Sequence, residues 1–248
     1  EVIRQNHVGD WGTQFGMLIS LLQEIQEEKK RNLPKELSDL EIFYTSAKNR
    51  FDSDSSFSHT SRQAVVKLQR GDQAYKNIWA QFIETSLLHC DDIYKKLNVT
   101  LSRNDLDAES RYNDDLGEII TELENKGLVS ESEGAKCIFL PEFIGKDGKQ
   151  LPVIIQKSDG GYLYSTTDLA AIKLRSRTML ADRALYVVDA RQSLHFRQVF
   201  AVAKTSGIAS DKISLEHISY GTMMGEDGRP FRTRTGGTVK LIELLEES

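Results

Sequence analysis

The chain has 248 residues and only two cysteines, Cys90 and Cys137, which form no Cys-x-x-Cys pair. Two thiols so far apart cannot build a disulfide framework, so a reducing compartment, the cytoplasm, is expected. Long apolar runs are lacking too. The apolar runs are only a few residues long, Val153-Ile154-Ile155 among them, far short of the roughly 20 residues a membrane helix needs. Glu1-Val2-Ile3-Arg4-Gln5-Asn6 turns polar at once, unlike a signal peptide. There is no basic surplus: 32 basic against 37 acidic residues leave a net charge of −5. That excludes retention on nucleic acid by bulk charge and leaves open a local basic groove. Gly-x-Ser-x-Gly, a Walker loop and Gly-x-Gly-x-x-Gly are all missing. The five histidines keep no ligand spacing with one another or with cysteine, so no protein-bound metal is expected. Asp52-Ser53-Asp54 opens like a calcium loop, but Phe57 and Gln63 stand where that loop needs Gly and Glu. A polar loop is the expectation there.

What is present reads as a folded, globular chain of one to two domains: 39% of residues are hydrophobic and 28% charged. Val2 to Asn6 reads as a short strand. After Gly9-Asp10-Trp11-Gly12, a helix carries Phe15, Leu18, Ile19, Leu22 and Ile25 on one face. Residues 35–130 are mostly helical in pattern. Leu37, Leu40, Phe43, Tyr44 and Ala47 form one stripe, Tyr75, Ile78, Trp79 and Phe82 a second, and Leu116, Ile119, Ile120 and Leu123 a third. Gly71-Asp72 reads as a stop followed by an N-cap, and Gly127 as another stop. After 135 the period shortens. Cys137–Leu140 and Leu151–Gln156 flank a hairpin signal at Gly145-Lys146-Asp147-Gly148. A helix over 165–177, a strand at Leu185–Val188, a helix from 192 to Gly207 and a strand at His217–Tyr220 follow. Strand alternating with helix predicts an α/β fold with a parallel sheet. Three parts are expected: 1–34, the end of one sheet half; 35–135, a helical insertion; and 136–248, the returning half. The first residue is Glu, and Val239–Leu245 reads as a helix without a cap. The chain is therefore expected to be a piece of a longer protein.

Three stretches carry candidate chemistry. Tyr162-Leu163-Tyr164-Ser165-Thr166-Thr167-Asp168 passes from a strand end into a helix, where open parallel sheets bind ligands. Ser165-x-x-Asp168 also has the form of a capping box, which would make Asp168 a helix-start residue. In the other reading Tyr164 is an aromatic wall and Asp168 a carboxylate aimed at a cation. Gly228-Arg229-Pro230-Phe231-Arg232-Thr233-Arg234-Thr235-Gly236-Gly237 is Gly-flanked and arginine-rich, suited to phosphate or to a solvated loop. Gly9-Asp10-Trp11-Gly12-Thr13-Gln14-Phe15-Gly16 sets glycines beside Trp, Asp and Gln after a strand. Its glycines suit either a tight turn and close helix packing or a site.

Taken together these stretches resemble the arginyl-tRNA synthetases of the bacterial type, and so do Tyr186–Phe196 and Val239–Leu245. The resemblance implies a class I catalytic domain: a Rossmann-like parallel sheet interrupted by a mostly helical connective insertion. It implies a ligase that joins arginine to ATP, releases pyrophosphate and passes the arginyl group to tRNA. By the family pattern Tyr164, Asp168 and Gln192 contact arginine, with Asp10 and Trp11 in the pocket region. Phe231, Arg232, Thr233 and Arg234 stand at the family's loop over the ATP phosphates. Its first Lys is replaced by Pro230, which leaves Arg232 and Arg234 to stabilise the leaving pyrophosphate. His195 is expected near the nucleotide. ATP would arrive with Mg2+, without a membrane partner, and the full-length protein is expected to be a monomer. The ATP-holding His-x-Gly-His element and the tRNA-binding domains would lie outside this piece, which is expected to be inactive alone. His7-Val8-Gly9-Asp10 only partly imitates that element. The alternatives are a non-catalytic synthetase-like module that binds tRNA or arginine, and a small-molecule nucleotidylyltransferase on a similar sheet.

Overall fold

A computed structural model describes residues 1–29, 40–221, 224 and 245. Two compact units divide between Ser110 and Arg111, and each has its own apolar cluster.

The first unit is helical: α1 (Thr13–Lys29), α2 (Leu40–Ser53), α3 (Ser55–Gln69) and α4 (Gln73–Lys96). Its core joins Phe15, Leu18, Ile19 and Leu22 of α1 with Phe43, Ala47, Phe57, Leu68 and Phe82 of the other three. Those of α1, α2 and α4 come from the stripes expected at helical spacing, whereas Phe57 and Leu68 of α3 belong to none of them. Two aspartates fix the starts of α3 and α4. Asp54 accepts from the N–H groups of Ser56 and Phe57, and Asp72 from those of Ala74 and Tyr75. Each satisfies donors that a helix start leaves open. The calcium-like segment is thus not a loop: α2 runs through Ser53, Asp54 caps α3 and Asp52 pairs with Lys48. Gly71 precedes the second cap at φ +88°, a backbone setting that suits glycine.

The expected strand at Val2–Asn6 does not form. Only Asn6 bridges, in parallel, to Leu106. Asn6 N–H donates to Asp105 O at 2.7 Å, and Asp107 N–H returns to Asn6 O at 3.0 Å. A strand needs a partner of matching length, and residues 103–105 instead close a 3-10 turn capped by Ser102. The expected helical run is broken there as well.

The second unit holds α5 (Leu116–Asn125), an antiparallel sheet β1-β2-β3 (Ser130–Ser132, Ala135–Ile144, Gln150–Gln156) and α6 (Tyr164–Lys173). A π turn over Leu174–Thr178 extends α6. Then come β4 (Arg183–Asp189), α7 (Ser193–Thr205) and β5 (Ser214–Tyr220). β4 and β5 pair in parallel from Arg183↔Ser214 to Asp189↔Tyr220, with α7 as the crossover such a pair requires. The core gathers Leu116, Ile119, Ile120 and Leu123 of α5 with Ile138, Ile155, Leu169, Ile172, Val199 and Val202. Burial of each such side chain contributes roughly 1.5–3 kcal/mol. The fold is α/β, as the alternation predicts. Among the described residues no helix is long and apolar enough to cross a membrane.

Candidate active site

The start of α6 is set from β3. The Ser165 hydroxyl donates to the carbonyl of Ile154, and that of Thr166 to the carbonyl of Ile155. Both side chains are buried, and these bonds satisfy them there. The helix begins at Tyr164 with Leu163 as N-cap and no side-chain cap. Ser165 is therefore inside the first turn, and Asp168 is the fifth residue of α6. The capping box does not form, because Ser165 spends its hydroxyl on β3.

Tyr164 and Asp168 lie one turn apart, on one helix face. Tyr164 is 55% exposed, whereas the Asp168 side chain is only 13% exposed. Its Oδ2 lies 2.6 Å from His195 Nε2, in the first turn of α7. Behind the pair stands Tyr186 of β4, whose hydroxyl accepts from Arg175 Nη1 at 2.8 Å. Burial pushes the Tyr186 phenol up. The Arg175 charge and hydrogen bond pull it back, and the Asp168 carboxylate adds to the rise. Phe196 packs on Tyr186 and on His217 at centroid distances of 5.2 and 5.0 Å. His217 in turn donates to Val188 O.

Gln192 is placed by the end of β4. The Asp189 side chain accepts from Arg191 N–H and so shapes the 3-10 turn Ala190–Gln192. Gln192 is exposed just beyond the C-terminal end of a parallel strand, where open α/β sheets bind ligands.

Asp10 and Trp11 belong to the first unit. Asp10 is buried, and both its carboxylate oxygens are taken by Ser110, one by the N–H at 2.8 Å and one by the hydroxyl at 2.5 Å. Its carbonyl accepts from Trp79 Nε1 at 2.7 Å. Burial pushes the Asp10 carboxyl up against the opposing pull of Ser110. Trp11 stands edge-on to Trp79 at 5.5 Å. Phe231, Arg232, Thr233 and Arg234 lie outside the described residues.

The structure thus brings Asp168 and His195 into contact and adds Arg175 and Tyr186, which sequence reasoning missed. No local spacing marks them, since they converge only when α6, its π turn and β4 pack. Among the described residues no three His, Cys, Asp or Glu side chains gather as a metal site.

All 248 residues match the family described as tRNA synthetases class I (R), catalytic domain. The arginine–tRNA ligase of Hahella chejuensis is 55% identical over 247 residues, covering 100% of this chain and 43% of that protein. That of Shewanella sediminis is 56% identical over 247 residues, covering 100% and 42%. The solved arginyl-tRNA synthetase of Plasmodium falciparum is similar at a TM-score of 0.78 and 29% identity, over 99% of this chain and 38% of that one. The Thermus thermophilus arginyl-tRNA synthetase, at TM-score 0.65 and 20% identity, shares the fold. The chain spans less than half the length of the curated relatives it matches. With a strand-helix-strand parallel pair, a helical first unit and a family match from end to end, the chain belongs to the class I tRNA synthetases (R), within their catalytic domain.

Proposed function

We propose that the full-length protein containing this chain activates arginine with ATP and transfers the arginyl group to tRNA in the cytoplasm, as a monomer. The observation that carries the reading is the Asp168 carboxylate. It is mostly buried on the Tyr164 face of α6, in a chain 55% identical throughout to an arginine–tRNA ligase. A carboxylate held this way can pair with a guanidinium through two parallel hydrogen bonds. Tyr164 supplies a flat apolar wall, and Gln192, at the end of β4, a neutral hydrogen-bonding group. By the family pattern Asp10 and Trp11 are assigned to arginine binding as well. In domain terms the proposal assigns 1–34 to the end of a first Rossmann half, 35–135 to a helical connective insertion and 136–248 to a second Rossmann half.

In the reaction the arginine carboxylate oxygen attacks the α-phosphorus of ATP. The bond to the bridging oxygen breaks, and pyrophosphate leaves with the electron pair. A tRNA hydroxyl then attacks the adenylate carbonyl, loses its proton and releases AMP. No side chain need become covalently bound, so the protein contributes position and charge. The proposal assigns to Arg232 and Arg234 the stabilisation of the charge that grows on the leaving phosphates, and to Phe231 and Thr233 a part in ATP binding. Mg2+ enters with ATP.

The test is ATP-dependent attachment of labelled arginine to tRNA by the full-length protein. Transfer of arginine in preference to lysine and citrulline is the expected result. A protein that binds tRNA or arginine and forms no arginyl-tRNA overturns the proposal.

A further inference from the structure

The Asp168 side chain ends in an sp3–sp2 torsion, and such torsions have broad wells. A carboxylate left to itself would sample many planes, whereas a two-point pairing with a flat guanidinium needs one. In this fold Asp168 Oδ2 lies 2.6 Å from His195 Nε2. A carboxylate only accepts, so Nε2 carries the hydrogen and donates. Asp168 Oδ1 takes no hydrogen bond among the described residues. The ring is itself held. It sits in the first turn of α7, 28% exposed, with its edge toward Phe196 at 5.2 Å and 74°. Phe196 is wedged between Tyr186, Phe200 and His217.

From this geometry we infer that His195 is a positioning residue for Asp168: it sets the plane of the carboxylate and leaves Oδ1 and the second lone pair of Oδ2 for the substrate cation. This rests on the reading of Asp168 as the partner of arginine. It gives His195 a role in amino-acid selection, where the sequence suggested the nucleotide. The contact ties α6 to α7, so the crossover helix between the two parallel strands fixes the orientation of a group on the preceding helix.

The test uses steady-state arginylation by the full-length protein, with KM for arginine and for ATP measured separately, and thermal melts alongside. His195→Ala removes the donor. His195→Gln keeps an N–H at similar reach. A lost hydrogen bond to a charged group predicts a rise of about tenfold in the arginine KM for His195→Ala. The ATP KM should stay within about twofold and kcat should change little, and Gln should restore most of the loss. In an Asp168→Asn background His195→Ala should add nothing to the arginine KM, because the two act as one unit. If His195→Ala does not fold, His195→Asn, whose amide is too short, takes its place against Gln. A rise in the ATP KM alone overturns the inference, as does an equal loss in Ala and Gln or no loss in either. If Asp168→Asn itself leaves the arginine KM unchanged, it is the reading of Asp168 that fails. If Asp168→Asn collapses arginine use while His195→Ala does nothing, only the role of His195 fails.

Discussion

Gly16 of α1 meets the backbone of Ser61 in α3 without room for a side chain: a β-carbon there would overlap the Ser61 carbonyl oxygen and stand 2.6 Å from Val65 Cγ2. The obstacle is helix backbone, which cannot step aside as a flexible side chain would. Gly to Ala inside a helix ordinarily gains about 1 kcal/mol. Here overpacking, at about 1–3 kcal/mol, outweighs that gain. Gly16→Ala is expected to lower the thermal midpoint of the full-length protein, and a midpoint raised by the substitution would contradict the close approach.

Asp168→Asn separates substrate recognition from architecture. The helix start does not depend on it, since no side chain caps α6, so the melt should stay near wild type. Loss of the charge leaves a substrate guanidinium poorly compensated, at roughly 3–5 kcal/mol. Arginine-dependent adenylate formation should fall at least about a hundredfold, and citrulline, neutral and of similar shape, should gain relative to arginine. An unchanged arginine-to-citrulline ratio with a lowered melt would remove Asp168 from the pocket.

Asp10 gives a pH-dependent case. Burial raises its folded pKa above the ordinary carboxylate value, so folding disfavours the ionised form. The resulting penalty is present above the folded pKa and is relieved as pH falls toward the unfolded one. Asp10→Asn keeps an oxygen for the Ser110 N–H and carries no charge. It should match or exceed wild-type stability at pH 7, with the two converging at lower pH. Asp10→Ala leaves the Ser110 N–H without its acceptor and should cost about 1–3 kcal/mol. Melts of the three proteins across pH check both, and a strongly destabilised Asn variant would contradict the raised pKa.

Glu122 behaves in the opposite sense. Its partial burial pushes the carboxyl up, but hydrogen bonds from Arg177, Lys126 and Lys173 outweigh that and bring it to about 2. Because the folded pKa lies below the unfolded one, the stabilisation is present above the ordinary glutamate value. It is lost as pH falls from there toward 2. Glu122→Gln should cost about 1 kcal/mol near neutrality, kept modest by the solvent exposure of Arg177. Its stability should be flatter than wild type over that acid range. Parallel acid titrations of the two proteins would expose an error in the sign.

Much of the architecture was readable residue by residue. The stripe Leu116-Ile119-Ile120-Leu123 is wholly buried, and the Asp72 cap and the Gly145–Gly148 turn stand where the spacing put them. β1 escaped because Ser130-Glu131-Ser132 has no apolar alternation. It is held by pairing with Ala135–Cys137, through a turn at Glu133 and Gly134, both at positive φ. The strand expected at Val2–Asn6 failed for the complementary reason: its composition suits a strand, but only Asn6 finds a bridging partner.

The candidate site divides in the same way. Sequence proposed Tyr164, Asp168 and Gln192 as one family pattern. It placed Tyr164 at a strand end and the helix from 165, because helical period and caps act over a few residues; the fold starts α6 at Tyr164 and so puts Tyr164 and Asp168 on one helix face. Sequence could not decide whether Ser165 caps a helix or bonds to a strand, since both need the same hydroxyl at the same position. The three-dimensional fold settled that by laying α6 against β3, which draws the Ser165 and Thr166 hydroxyls to Ile154 and Ile155. It alone joined Asp168 to His195, 27 residues apart in sequence, and bound Asp10 to Ser110 across 100 residues. Contacts of that span depend on how whole helices pack, and no local pattern of residues encodes them.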